Sequence, residues 1–414
     1  MSKDTSVTTA DRSNPRVPVV IFGIGIAVLV LYMLTFAIKL HGENDFYKEA
    51  WPAYLLLDHG HILAFLRDGP AYVGSLILRS PFALLAALFG AGVRVTYVAT
   101  ALPCVVAPAL LAGWLAPGRR RKPGTADAGR SPRIRPLDLF MLAPPAFLCV
   151  VGGHPEDILG AVLCVAAVLL AQQGSAQAAG LMLGLALINK SWAIIAAPLV
   201  FAVMPADRRL SGFGTAVIVT AVVMVPVLAI RMTGLGGSAT GLGSSTGLGS
   251  SIGNIFLVPQ LLWFFGRNSW VAREGHIILV AIGWLVTAAW WWFRVRGQRV
   301  RPSPGVALIM LALVFFLRAA LDPWDDLYYF APFMLTIMAH EDAEGFPILT
   351  WAFGILLVVV VPPTGVLEGL GDNGHAAAFA VFALATIAYL ARRAFFPDRP
   401  VSGRLYAAVS RSPT

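Results

Sequence analysis

The chain has 414 residues, of which 57% are hydrophobic and only 13% charged. A water-soluble domain is nearer half apolar with about a quarter of its residues charged, so the ordinary globular class is excluded. The net charge of +9 would raise nucleic acid as a partner. Here the basic residues occupy short inter-helix loops and tails, which the positive-inside rule accounts for, and no nucleic-acid partner is expected.

The apolar residues fall in long runs, several close to the ~20 residues that cross about 30 Å of hydrocarbon. The first, Val17–Ile38, follows Lys3, Arg12 and Arg16. It is too long for the apolar region of a cleaved signal peptide and no Ala-x-Ala site follows it, so it reads as a retained first span behind a cytoplasmic tail, 1–16. It emerges near His41, and 41–92 forms a first external loop carrying Glu43, Asp45, Glu49, Asp58 and Asp68. Within that loop Phe46, Ala50, Tyr54 and Leu57 make one stripe, which suits an interfacial helix.

The segment Tyr72–Leu88 contains Arg79 and Pro81. Counted as a full crossing it would place the next basic block outside, so a membrane-embedded or re-entrant element is expected, covered by protein instead of lipid. A span at 94–116 returns to a cytoplasmic basic loop, 117–136. Spans at 137–153 and 157–172 go out and back, followed by two short pieces, 176–190 and 191–204. Spans near 210–231, 275–293, 303–321, 327–340, 346–361 and 375–391 complete a single membrane domain, 17–391, before a basic cytoplasmic tail, 392–414. The expectation is an all-α polytopic integral membrane protein, a bundle of about 11–13 transmembrane or re-entrant helices.

Between two of these spans lies a Gly/Ser-rich external loop, 233–260, with Thr-Gly-Leu-Gly at 233, 240 and 246. It lacks the Gly-Lys-Ser/Thr ending of a phosphate-binding loop, so a flexible connection is expected and not a nucleotide site. Cys104, Cys149 and Cys164 lie inside apolar runs without a C-x-x-C spacing and read as buried thiols, with no metal site and no disulfide framework.

Orientation is set here by Lys and Arg alone, yet the acids gather on one side. Glu156 and Asp157, then Asp322, Asp325 and Asp326, then Glu368 and Asp372 all fall at external helix ends. Four places there offer chemistry. In His41-Gly-Glu-Asn-Asp-Phe-Tyr47, a carboxylate beside the membrane could act as a general base, or Asn44 or Asp45 could simply cap the next helix. In Gly152-Gly-His-Pro-Glu-Asp157, His154, Glu156 and Asp157 could hold sugar hydroxyls, or Pro155 and the two acids could be ordinary helix-start residues. Lys190 sits between apolar stretches, where a cation costs several kcal/mol unless it is paired or reaches water. It could hold an anionic phosphate or snorkel to the interface. Arg318 and Asp322 can pair along a helix end, and Trp324, Asp325 and Tyr328 after them offer a stacking platform, a helix cap or aromatic-belt residues. The acidic cluster could hold a divalent cation, but no spacing compels one.

Three stretches together resemble the GT-C superfamily of membrane glycosyltransferases, and most closely the glycosyltransferase family 87 type of bacterial mannosyltransferase. They are Asn44-Asp45-Phe46; Gly153-His-Pro-Glu-Asp157 with the Gly-Leu-x-x-Gly-Leu-Ala run from Gly180 to Lys190, Trp192 and Pro198; and Leu321-Asp-Pro-Trp-Asp-Asp-Leu-Tyr-Tyr-Phe330. The family often has Gly-Gln-x-Asn where this chain has Gly-His-Pro-Glu. The resemblance implies a GT-C-like bundle and transfer of a sugar, such as mannose, from a polyprenyl-phosphate donor to a glycolipid, glycan or protein acceptor outside the cytoplasmic membrane. It implies Asp45 as the catalytic base, with inversion at the anomeric carbon if no covalent intermediate forms; the sequence itself requires no cofactor and leaves a divalent cation open. Lys190 and Arg318 would bind the donor phosphate; Glu43, His154, Glu156, Asp157, Asp322, Trp324 and Asp325 would contact sugar or acceptor. The rival reading is a transporter or flippase for a lipid-linked or small polar substrate, which should place ionisable residues midway through several spans.

Overall fold

The computed structural model describes residues 20, 23–27, 45–115, 149–150, 152–233, 269–296, 302–322, 327–344, 348–360 and 367–397. Among them the regular structure is helical throughout, with no strand. Most of the first span, most of the 137–153 span, the basic loop 117–136, the Gly/Ser-rich segment beyond Thr233, and Glu43, Trp324 and Asp325 lie outside the described residues.

A π-helical turn, Phe46–Ala50, runs into α1, Trp51–Asp58, and α2, Ile62–Asp68. Of the expected apolar stripe, Phe46, Ala50 and Tyr54 are buried and Leu57 is half-buried. Next comes α3, Val73–Leu88, a continuous helix with Pro81 inside it. At 16 residues it is about 24 Å long, short of a full hydrocarbon crossing. The long helix α4, Val93–Leu115, follows.

Beyond 150 the chain forms α5, Glu156–Gln172, and α6, Ala176–Asn189. A break at Lys190 in extended geometry (φ −149°, ψ 128°) leads to a 3-10 turn, Ser191–Ala196, and the short α7, Ala197–Val203. Pro198 suits the restart: it lies in the first turn of α7, where its missing N–H would have no intrahelical partner. In the 3-10 turn Ile194 O accepts the Ala197 N–H and also the indole N–H of Trp284, the latter at 3.0 Å.

The remaining elements are α8, Arg209–Thr233; α9, Ser269–Trp290; α10, Pro304–Leu321; α11, Ala331–Glu344; α12, Ile348–Val360; and α13, Gly371–Phe395. Five stretches among the described residues, on α4, α8, α9, α10 and α13, are long and apolar enough to cross a membrane. By length and composition the fold is consistent with a helical membrane protein. α5 and α10 are buried on nearly every side and form the centre, α5 packing on α4, α6 and α11, and α10 on α9, α11 and α13.

The Gly-Leu-x-x-Gly run has a packing role. A Cβ on Gly180 would sit 2.2 Å from Gly212 O, and one on Gly184 would sit 2.8 Å from Val219 Cβ. Glycines four apart let α6 and α8 approach backbone to backbone, the usual way apolar helices gain contact when water supplies no driving force. Cys104, Cys149 and Cys164 are buried free thiols, as the sequence indicates.

Candidate functional site

Two loops far apart in sequence meet at one point. Asp45 has helical geometry and makes no side-chain cap hydrogen bond. Its Oδ2 instead accepts from His154 Nε2 at 2.8 Å. The contact depends on Gly153, which sits at φ +87°, a region that favours glycine. A Cβ there would lie 2.5 Å from the backbone nitrogen of Phe46. Phe46 itself is fully buried against Tyr97, ring centroids 4.4 Å apart, which anchors the loop below Asp45. The Asp45 side chain keeps 45% of its surface exposed, so one carboxylate oxygen is held while the group remains reachable.

Behind His154 lies Glu156, with no exposed surface. Its Oε1 receives His154 Nδ1 at 2.9 Å and Lys190 Nζ at 3.0 Å, and its Oε2 pairs with Arg79 Nη2 at 3.0 Å. The second acid, Asp157, takes Lys190 Nζ at 3.5 Å on Oδ2 and the Trp192 indole N–H at 2.6 Å on Oδ1. A further layer steadies the helix start: Asn189 Nδ2 donates to Glu156 O at 2.7 Å, and Ser75 Oγ donates to Asn189 Oδ1 at 3.0 Å. Burial in a low-dielectric interior is tolerable because the charges balance: Arg79, His154 and Lys190 against Asp45, Glu156 and Asp157.

That balance requires a protonated imidazole. Burial and the nearby Lys190 ammonium work against a charged His154, but its hydrogen bonds to Asp45 and Glu156 outweigh them, and the group is pushed up to about 9. One turn after Asp45, burial and then the Asp45 carboxylate push Glu49 above the usual carboxylate value.

His154, Glu156 and Asp157 bring candidate metal-ligand atoms within 4.8 Å of one another. The Lys190 ammonium lies within 3.0 Å of one of these carboxylates and 3.5 Å of the other. A divalent cation would have to displace it, so the donor set as built does not fit a metal.

Beside the cluster opens a cavity of about 630 Å³. Its walls combine polar and aromatic side chains, Tyr72, Lys190, Trp192, Arg318 and Asp322 among them, with apolar ones, Ile194, Met224, Leu279 and Val280. Lys190 Nζ stands 4.5 Å from the centroid of the Tyr72 ring. The Arg318 guanidinium lies between the rings of Trp192, 4.7 Å, and Tyr329, 4.3 Å. Its Nη1 is buried and has no hydrogen-bond partner among the described residues. Asp45 and His154 do not line this cavity. The His154 ring packs against Tyr328 at 4.8 Å and Tyr72 at 5.5 Å, and those two tyrosines do line it.

The structure therefore brings Asp45, His154, Glu156, Asp157 and Lys190 into one network, with Arg318 and Asp322 on the adjoining cavity wall. Glu156 and Asp157 are buried, and their oxygens meet Arg79, His154, Lys190 and Trp192. Glu43, Trp324 and Asp325 lie outside the described residues. Arg79, Ser75, Asn189 and Tyr72 join the site only through the fold. Arg79 carries a sequence signal, a lone cation inside an apolar helix, by the same rule that singles out Lys190. Ser75 and Asn189 carry none.

Compared with known proteins, the chain matches no family model, no curated protein and no solved structure.

Proposed function

We propose that the protein is a membrane glycosyltransferase of the GT-C type that moves a sugar from a polyprenyl-phosphate donor to a hydroxyl acceptor at the external face of the cytoplasmic membrane. The observation that carries the reading is the half-exposed Asp45 carboxylate, held by His154, near a cavity whose lining combines two cations and aromatic rings with apolar side chains. A lipid-linked sugar phosphate combines an anion, a sugar and an apolar chain. The motif resemblance adds to this, and mannose is the sugar it favours.

In this reading Asp45 takes the proton of the acceptor hydroxyl as that oxygen attacks the anomeric carbon. The bond from the anomeric carbon to the phosphate oxygen breaks, its electron pair leaves with the phosphate, and the anomeric centre inverts. Phosphate is already a good leaving group, so one base suffices and no general acid is demanded. His154 fixes one oxygen of Asp45 and leaves the other for the acceptor, while Arg318, with the paired Lys190 beside it, offers the donor phosphate a cation on the cavity wall. The acceptor is a glycolipid, glycan or protein, and both chain termini lie in the cytoplasm.

Purified protein in lipid nanodiscs, offered a panel of polyprenyl-phosphate sugars, should release polyprenyl phosphate in an acceptor-dependent way. Binding of none of these donors would remove the reading. The buried Arg79 and Glu156 favour transport as the second reading, since transporters place ionisable groups inside the bundle. Substrate crossing sealed vesicles without covalent change would select it.

A further inference from the structure

The two cations that line the cavity are not equivalent. Lys190 is committed to Glu156 and Asp157, whereas Arg318 meets the face of Trp192 and of Tyr329 and keeps a buried Nη1 without a partner among the described residues. A guanidinium held by ring faces is constrained in the plane of its donors and retains its hydrogen-bonding edge for a ligand.

Trp192 is the residue the two halves share. Its N–H is fixed on Asp157 at 2.6 Å, and its face carries Arg318. The indole is also wedged from other sides. The fully buried Phe315 stands edge-on to it at 5.5 Å and 90°. Gly160 of α5 leaves room for it, since a Cβ there would lie 3.1 Å from the indole Cζ2. A cavity wall needing only apolar area would not require the N–H, and an N–H donor alone would not require the ring face. Here both are used, one toward the acidic cluster and one toward the cavity.

We propose that Trp192 is a positioning residue that fixes the Arg318 guanidinium, as the anion anchor of the cavity, relative to the Asp157–Lys190 pair. This rests on the reading that the cavity receives a phosphate, whether or not a sugar is transferred from it. Loosening the indole leaves Arg318 its charge but lets the donor edge swing, and the anion loses its geometry.

The test is a double-mutant cycle on binding, with undecaprenyl monophosphate as the probe in nanodiscs and undecaprenol as its uncharged control. Trp192→Leu should weaken phosphate-dependent binding by about tenfold, the scale of a desolvated cation–π contact. Trp192→Phe, which keeps a ring face, should stay within about threefold. In an Arg318→Gln background Trp192→Leu should add less than about twofold, because both changes remove the same interaction. An undiminished loss from Trp192→Leu in that background overturns the proposal, since Trp192 would then act on the lipid directly or on the fold. Equal binding of the phosphate and the alcohol by the wild type overturns it too. Should Trp192→Leu fail to give monodisperse protein, Trp192→Phe decides, a tenfold loss that persists with Arg318→Gln being contrary. Coupling without any sugar transfer would sink the glycosyltransferase reading and leave this one standing.

Discussion

Asp45 and His154 lie 109 residues apart in the chain and meet at 2.8 Å, with the histidine's other ring nitrogen on Glu156 at 2.9 Å. The line from Asp45 through His154 to Glu156 joins a reachable carboxylate to a fully buried one. Its consequences can be measured at each link.

The buried end depends on Arg79. Arg79→Met leaves Glu156 charged, buried and short of a partner, which costs about 3–5 kcal/mol when one half of such a pair is removed. The double variant Arg79→Met/Glu156→Gln should recover part of that loss, because the amide removes the uncompensated charge and keeps an oxygen for His154 and Lys190. Thermal unfolding of the three proteins in one detergent makes the comparison. A single variant as stable as the wild type would contradict the pairing.

The middle link makes stability pH-dependent. A histidine ordinarily near 6.5 and raised to about 9 in the fold stabilises fully below 6.5. That contribution is lost as pH rises through about 9, since the folded state must then give up the proton it holds. The melting temperature should therefore fall between these values, and His154→Gln should flatten the slope there. A slope unchanged by the substitution would show that His154 is not the titrating group.

The exposed end depends on a glycine. Gly153→Ala forces a side chain into a left-handed conformation and against the backbone of Phe46. Strain of this kind costs about 1–3 kcal/mol, and the loop must shift to relieve the clash. Sugar transfer should fall by more than the melting temperature implies, because the shift parts Asp45 from His154. Transfer at the wild-type rate would mean that this contact is dispensable.

The composition made the helical, membrane-like class legible, and charges stranded among apolar residues pointed to Lys190 and to the Gly-His-Pro-Glu-Asp segment. What it could not supply was which groups face which. Glu156 and Asp157 read as ligands for sugar hydroxyls, yet three cations and an indole take up their oxygens. Such pairing brings α3, α5 and the 190–192 break together in space, and no local spacing encodes it. Arg79 was visible as an ionisable residue in an apolar helix but entered only as an obstacle to topology. For Gly153 the need is tertiary: only the approach of Phe46 makes a glycine necessary there. Asp45 stood open between helix cap and base on sequence, and the absence of a cap bond removes the first of those roles.

The central claim is that Asp45 removes the acceptor's proton, and Asp45→Asn tests it most directly. The variant keeps a hydrogen-bonding side chain of the same size, so donor binding should persist while the rate of sugar transfer falls at least about a hundredfold. Transfer by Asp45→Asn at the wild-type rate, with wild-type donor affinity, would contradict the account.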